Sequence, residues 1–142
     1  EIRTPMSGII GMAHLLQRTN PDKQQKSERI RKSYDESPYP ELAFSFSHPQ
    51  HLAAMALLFG LQPVNPLEAT ILDVGCGLGT NLLWIARSLP DARCIGIDLS
   101  GHHIRQARES AVAQGVTNIE FIQADLLTLE PGEQQFDYGS ER

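Results

Sequence analysis

The 142-residue chain is short of several things, and each shortage excludes a class of protein. It has 2 cysteines, Cys76 and Cys94, without the spacing of a metal knuckle or a redox pair. A disulfide scaffold is therefore not expected, and both residues read as reduced thiols. No apolar run approaches the roughly 20 residues that cross a bilayer, and the N-terminus lacks the charged-then-apolar plan of a signal peptide. No membrane partner is expected, and the cytoplasm is the default location. Positive charge is also scarce: 12 Lys and Arg stand against 17 Asp and Glu, a net charge of -5, so no overall field favours nucleic acid. The basic run Lys23 to Lys32 is tempered by Asp22 and Glu28 and reads as a solvated face or linker.

What is there suffices for one ordinary domain, with 41% apolar residues and no low-complexity tract. Three zones follow one another. Residues 1–19 carry a helical stripe of Met6, Ile9, Ile10, Ala13 and Leu16, with Thr4 and Pro5 suited to a helix entrance. Gly8 and Gly11 weaken that helix by about 1 kcal/mol each, so it needs a partner along its apolar seam. Residues 20–41 are polar and proline-punctuated, the composition of a junction. From residue 42 to 142 the chain becomes regular. FSHPQHLAAMALLFG predicts a helix begun near Ser47 and stopped by Gly60. ATILDVG reads as a buried strand, and GTNLLWIARSL as a helix on Leu82, Leu83, Ile85, Ala86 and Leu89. ARCIGID is a second strand, then SGHHIRQARESAVAQG a helix with Ser100 as N-cap and Gly115 as its stop. IEFIQAD is a third strand, and QFDY the opening of a fourth. Strands alternating with helices at this spacing predict an α/β fold: a partial Rossmann-like, doubly wound parallel sheet of about three to four strands, with N-terminal helices. With QFDY giving way to GSER, the expected order is 3-2-1, leaving the first strand on an open edge prone to association.

The stretch DVGCGLGTN carries the chemistry. Gly75, Gly77 and Gly79 remove side chains where a backbone must turn sharply after a strand and a ligand must approach closely. The helix that follows presents its positive end to that ligand. Asp98 closes the second strand, where a carboxylate can accept both hydroxyls of a ribose. Asp125 closes the third, placed to accept from an adenine amino group, and Asp73 adds an acid just before the glycines. The Gly-x-Gly-x-Gly spacing differs from the Gly-x-Gly-x-x-Gly of dinucleotide enzymes. Three acids around the loop suit a ligand that lacks a pyrophosphate and bears a cationic sulfonium and amino group. The same glycines and acids also fit the turn of a doubly wound fold that holds another nucleotide.

Together, ILDVGCGLGTN, CIGIDLS and FIQADLL resemble the first three cofactor motifs of class I S-adenosylmethionine-dependent methyltransferases. The resemblance implies S-adenosylmethionine as cofactor. It implies that Asp73, Gly75, Gly77 and Gly79, with Cys76 in the same loop, hold the methionine end. It places ribose at Asp98 with Leu99 beside it, and adenine between Asp125 and Leu126. The lead-in YDESPYPELAFSFSHPQHLAAMALLFGLQP is similar to that of bacterial methyltransferases with a methyltransferase regulatory domain further on. Some relatives of that group act on protein lysines, which makes a protein a candidate methyl acceptor. No catalytic side chain and no metal site is assigned. His102 and His103 read as surface residues, His48 and His51 as part of a helix N-cap region, and Trp84 as core or adenine-side packing.

The opening stretch EIRTPMSGIIGMAHLL resembles the phosphoacceptor and dimerisation helix of histidine kinases. In that family the phosphorylated histidine immediately precedes this glutamate, and the sequence begins at Glu1. His14, two heptads on, lacks the acidic neighbour of the motif. The expectation is a chain joined from two partial families, whose methyltransferase half binds cofactor without transferring methyl by itself. Self-association through residues 1–19 or the open sheet edge is expected as well. Rival readings are a kinase-derived dimerisation module and a fusion fragment without evolved function.

Overall fold

The computed structural model describes residues 4–5, 45–126 and 135–141. Among them, a four-stranded sheet runs β4-β3-β2-β6, where β2 is Thr70–Val74, β3 Arg93–Asp98, β4 Ile119–Gln123 and β6 Tyr138–Glu141. Every pairing is parallel: Ile71 lies opposite Cys94 on one side and Tyr138 on the other, and Asp98 lies opposite Gln123. The expected α/β architecture with a parallel sheet is therefore present.

One expectation is corrected. The edge of β2 is not open, because the segment after QFDY continues as β6 and pairs with the whole of Ile71 to Val74. Gly139, Ser140 and Glu141 carry no apolar alternation, so nothing in their own composition announces a strand. Neighbouring groups complete it: the Ser140 hydroxyl donates to Asp73 Oδ1 at 2.7 Å and Tyr138 Oη bonds the Val64 carbonyl.

A second correction lies at the N-terminus. Thr4–Pro5, expected to open a helix, forms a two-residue strand, β1, antiparallel to β5 at Gln135–Phe136. Proline serves there because a short edge ladder asks for few donors. The rest of the proposed helix over 1–19, the junction 20–41 and His14 lie outside the described residues.

Side chains alternate across the sheet with the period of two that strands impose. Ile71, Cys94, Phe121 and Tyr138 face one core, shared with Leu82, Leu83, Ile85, Ala86 and Leu89 of helix α2, Thr80–Ser88. Ile104, Ala107 and Ala111 of α3, Gly101–Ala113, complete that layer. Leu72, Val74, Ile95 and Ile97 face the other side with Phe136, Ile122, Ala124 and Leu126. The stripe read from the sequence of α2 is buried as expected. Trp84 is corrected: it sits 39% exposed and packs edge-on against the His48 ring at 4.8 Å, outside the core.

Helix α1, Pro49–Leu58, starts where the sequence placed it, with Pro49 in its first turn and Gly60 beyond its end at φ 74°. His48 is its N-cap, the role assigned to that region. Its Nδ1 accepts from the Gln50 N–H at 3.3 Å, and its Nε2 lies 2.7 Å from Ser88 Oγ. Ser88 Oγ donates its own hydrogen to the Ile85 carbonyl, so the imidazole must donate from Nε2 and is neutral. This bond ties α1 to the end of α2. No helix among the described residues is long and apolar enough to cross a membrane.

Candidate cofactor site

The site forms at the carboxyl ends of β2 and β3, where doubly wound sheets hold their ligands. The chain leaves β2 through Gly75, whose N–H bonds the Ile97 carbonyl of the adjacent strand at 2.8 Å; Cys76 N–H shares that carbonyl at 3.1 Å. This tethering pulls the loop across β3. Gly75, Gly77 and Gly79 all have positive φ, at 72°, 56° and 75°. The three glycines read from the sequence are thus required by the backbone itself.

They are required for different reasons. A Cβ on Gly79 would stand 2.5 Å from the Phe121 ring, so this residue lets α2 begin directly above the core. A Cβ on Gly77 would meet nothing within 4 Å, so the loop opens onto free space there. Gly96, in β3, also sits against Phe121 and the Cys76 sulfur, which fixes the loop from below.

Cys76 points away from that opening. Its side chain is 2% exposed within the core, and its thiol approaches the Gly77 carbonyl, so only its backbone faces the loop. Cys94 is buried in β3, and burial pushes its thiol up to about 12. Both cysteines are free, as expected.

The acids take separate positions. Asp73 is wholly buried at the end of β2, on the face of Ile71, and accepts from Ser140. Asp98 stands at the mouth: Oδ2 accepts from the Gly77 N–H at 2.9 Å and Oδ1 from the Ser100 N–H at 2.8 Å. Its side chain keeps 14% of its surface exposed. Leu99, Asp125 and Leu126 are half-buried on the loops that leave β3 and β4, and Leu126 packs against the second core. The structure therefore brings Asp73, the glycine loop and Asp98 into one continuous unit, with Asp125 beyond the end of the neighbouring strand.

Three further residues belong to this end of the sheet. Asn81, wholly buried in the first turn of α2, donates to Ser47 Oγ at 3.4 Å. Ser140 reaches Asp73 from β6. His103, expected at the surface beside His102, is instead buried at 7% exposure, with Nδ1 3.6 Å from Asp98 Oδ1. It lies in the first turn of a helix capped by Ser100, which the sequence showed, but its burial depends on where that helix crosses the end of β3.

S-adenosylmethionine carries a ribose diol, an adenine and a cationic amino acid end. The donor set fits such a group. A carboxylate offers about four lone-pair sites, and two backbone amides occupy one on each oxygen of Asp98. Two acceptor positions are left beside an opening with no side chain over Gly77.

Comparison with known proteins agrees with this geometry. Residues 71–139 match the methyltransferase domain family, and residues 1–36 match the His Kinase A (phospho-acceptor) domain. An uncharacterized protein of Rickettsia prowazekii is 40% identical over 75% of this chain and 42% of its own length. The structure of PKMT2 from Rickettsia typhi in complex with AdoHcy superposes with a TM-score of 0.69 at 35% identity, covering 73% of this chain and 20% of that one. A tRNA (guanine-N(7)-)-methyltransferase of Rubrobacter xylanophilus is 42% identical over 52% of this chain and 31% of its own. The chain thus spans less than half the length of each of these proteins. With its Rossmann-like sheet and glycine loop, the stretch from residue 71 to 139 belongs to the S-adenosylmethionine-dependent methyltransferase domain family.

Proposed function

We propose that this chain is the cofactor-binding portion of a methyltransferase and takes S-adenosylmethionine at the loop 75–79. The observation that carries the reading is Asp98, fixed by the Gly77 and Ser100 amides at the rim of an open glycine loop. Fixed in this way, its carboxylate needs no reorganisation to receive a diol. Asp73 supplies negative charge beneath the loop for the cationic end, and Asp125 with Leu126 stands where a base would lie. When bound, the cofactor supplies an activated methyl group on a sulfonium; the residues named here bind and orient it. Methyl acceptors are held by other parts of such enzymes, so this chain by itself is expected to bind without turning over. A protein is the favoured class of acceptor, on the similarity of the lead-in to bacterial methyltransferases some of whose relatives act on protein lysines. For residues 1–19 the role we propose is self-association through the apolar stripe read from the sequence.

Calorimetric titration with S-adenosylhomocysteine tests the reading. Wild type should bind saturably, and Asp98→Ala should weaken binding by on the order of 1–3 kcal/mol, the cost of lost bonds to a charged acceptor. A folded wild type that takes up no ligand would refute the proposal.

A further inference from the structure

Asp98 has a neighbour that the cofactor motifs do not include. His103 lies in the first turn of α3, 7% exposed, and its Nδ1 is the only basic side-chain nitrogen within 4 Å of the Asp98 carboxylate among the described residues. Its backbone N–H is taken by Ser100 Oγ at 3.3 Å, so the ring is held on the same capping turn that orients Asp98. We infer that His103 is a positioning residue for the ribose-binding carboxylate, setting how many acceptor sites Asp98 offers to a nucleoside diol.

Of about four lone-pair sites on the carboxylate, Gly77 N–H fills one on Oδ2 and Ser100 N–H one on Oδ1. Two are left, matching the two hydroxyls of a ribose. A neutral imidazole can keep its hydrogen on Nε2 and leave Nδ1 bare, in which case the count stands. A protonated ring is obliged to carry hydrogen on Nδ1, which already faces Oδ1 at ion-pair distance. A slight closure turns that contact into a charge-assisted bond, fills a third site and offsets the charge of Asp98. Nucleoside binding should therefore prefer the neutral ring. Among the described residues the other titratable groups at this end are Asp73 beneath the loop, Asp125 beyond β4 and His102 on α3, whose exposed ring lies 6.2 Å from that of His103. β4 itself carries its acid, Glu120, at the opposite end, paired with Arg93.

The inference rests on the proposed cofactor site, and one experiment separates the two. S-adenosylhomocysteine is titrated into wild type, His103→Gln and His102→Gln at about pH 8 and about pH 5.5, which bracket the range where imidazole changes charge. Wild type and His102→Gln should lose affinity roughly three- to tenfold at the lower pH, the worth of about one hydrogen bond. His103→Gln should bind almost equally at both. No binding by wild type at either pH would sink the cofactor site itself. Binding that is flat with pH in wild type, or that falls as steeply in His103→Gln, would leave the site standing and overturn the role of His103. A wild-type profile that is flat with pH overturns the role without any variant, and where His103→Gln folds poorly His103→Asn takes its place in the comparison.

Discussion

Gly77 and Gly79 look alike in the sequence and do different work in the structure. Both have left-handed φ, which costs an L-residue roughly 1–2 kcal/mol. At Gly79 an added methyl also meets the Phe121 ring and then Ala107, a core that cannot yield without repacking. Gly79→Ala should therefore cost roughly 2–4 kcal/mol in chemical denaturation, backbone strain and overpacking together. At Gly77 the methyl meets open space, so Gly77→Ala should cost only the backbone share, about 1–2 kcal/mol. Its loss of S-adenosylhomocysteine binding should exceed that of stability, because the methyl stands where the ligand approaches. Equal destabilisation by the two substitutions would mean that the loop is not built over Phe121 as described. The glycines and Asp98 were legible because a strand end followed by a tight turn demands those residue types. The burial of His103 was not, since it depends on where α3 crosses the end of β3, and no local pattern encodes that crossing.

At the scale of elements, α1 reaches the rest of the fold through few groups among the described residues. Pro49 and Ala53 are buried, whereas Leu57, Leu58 and Phe59 are largely exposed, so the His48 to Ser88 bond is a principal tie to α2. Burial lowers the pKa of His48 below its ordinary 6.5. The unfolded chain then binds the proton more readily than the folded one. Stability conferred by the neutral ring is complete above about pH 6.5 and is lost as pH falls below it. Thermal unfolding should thus drop between about pH 7.5 and pH 5.5 in wild type. His48→Asn keeps a good N-cap but cannot reach Ser88, so it should be less stable by about 1 kcal/mol at the higher pH and show a shallower slope. Parallel slopes would remove His48 as the titrating group. The sequence revealed α1, α2, α3 and the strands β2, β3 and β4 because their apolar spacing matches their periods. It did not reveal β6, whose Gly139, Ser140 and Glu141 pair through backbone groups and through Ser140 meeting a buried acid.

For the whole molecule, the question is how a kinase-like opening coexists with a methyltransferase sheet. Thr4–Pro5 pairs with Gln135–Phe136, and Phe136 belongs to the core on the second face of the sheet. Among the described residues the opening segment meets the fold at this short ladder, next to the amino ends of β2 and β6 and not at the carboxyl ends that carry the cofactor residues. Two paired residues contribute little by themselves, and every residue assigned to the cofactor lies between Asp73 and Leu126. Binding should survive removal of residues 1–20, while association through the stripe of Met6, Ile9, Ile10, Ala13 and Leu16 should not. Sedimentation of the two lengths of chain measures this. The longer should run as a dimer and the shorter as a monomer, each binding S-adenosylhomocysteine with the same affinity. Unchanged sedimentation would deny the opening segment a dimerising role. Loss of binding in the shorter chain would make the segment a structural support of the sheet, with the β1–β5 ladder as its point of attachment.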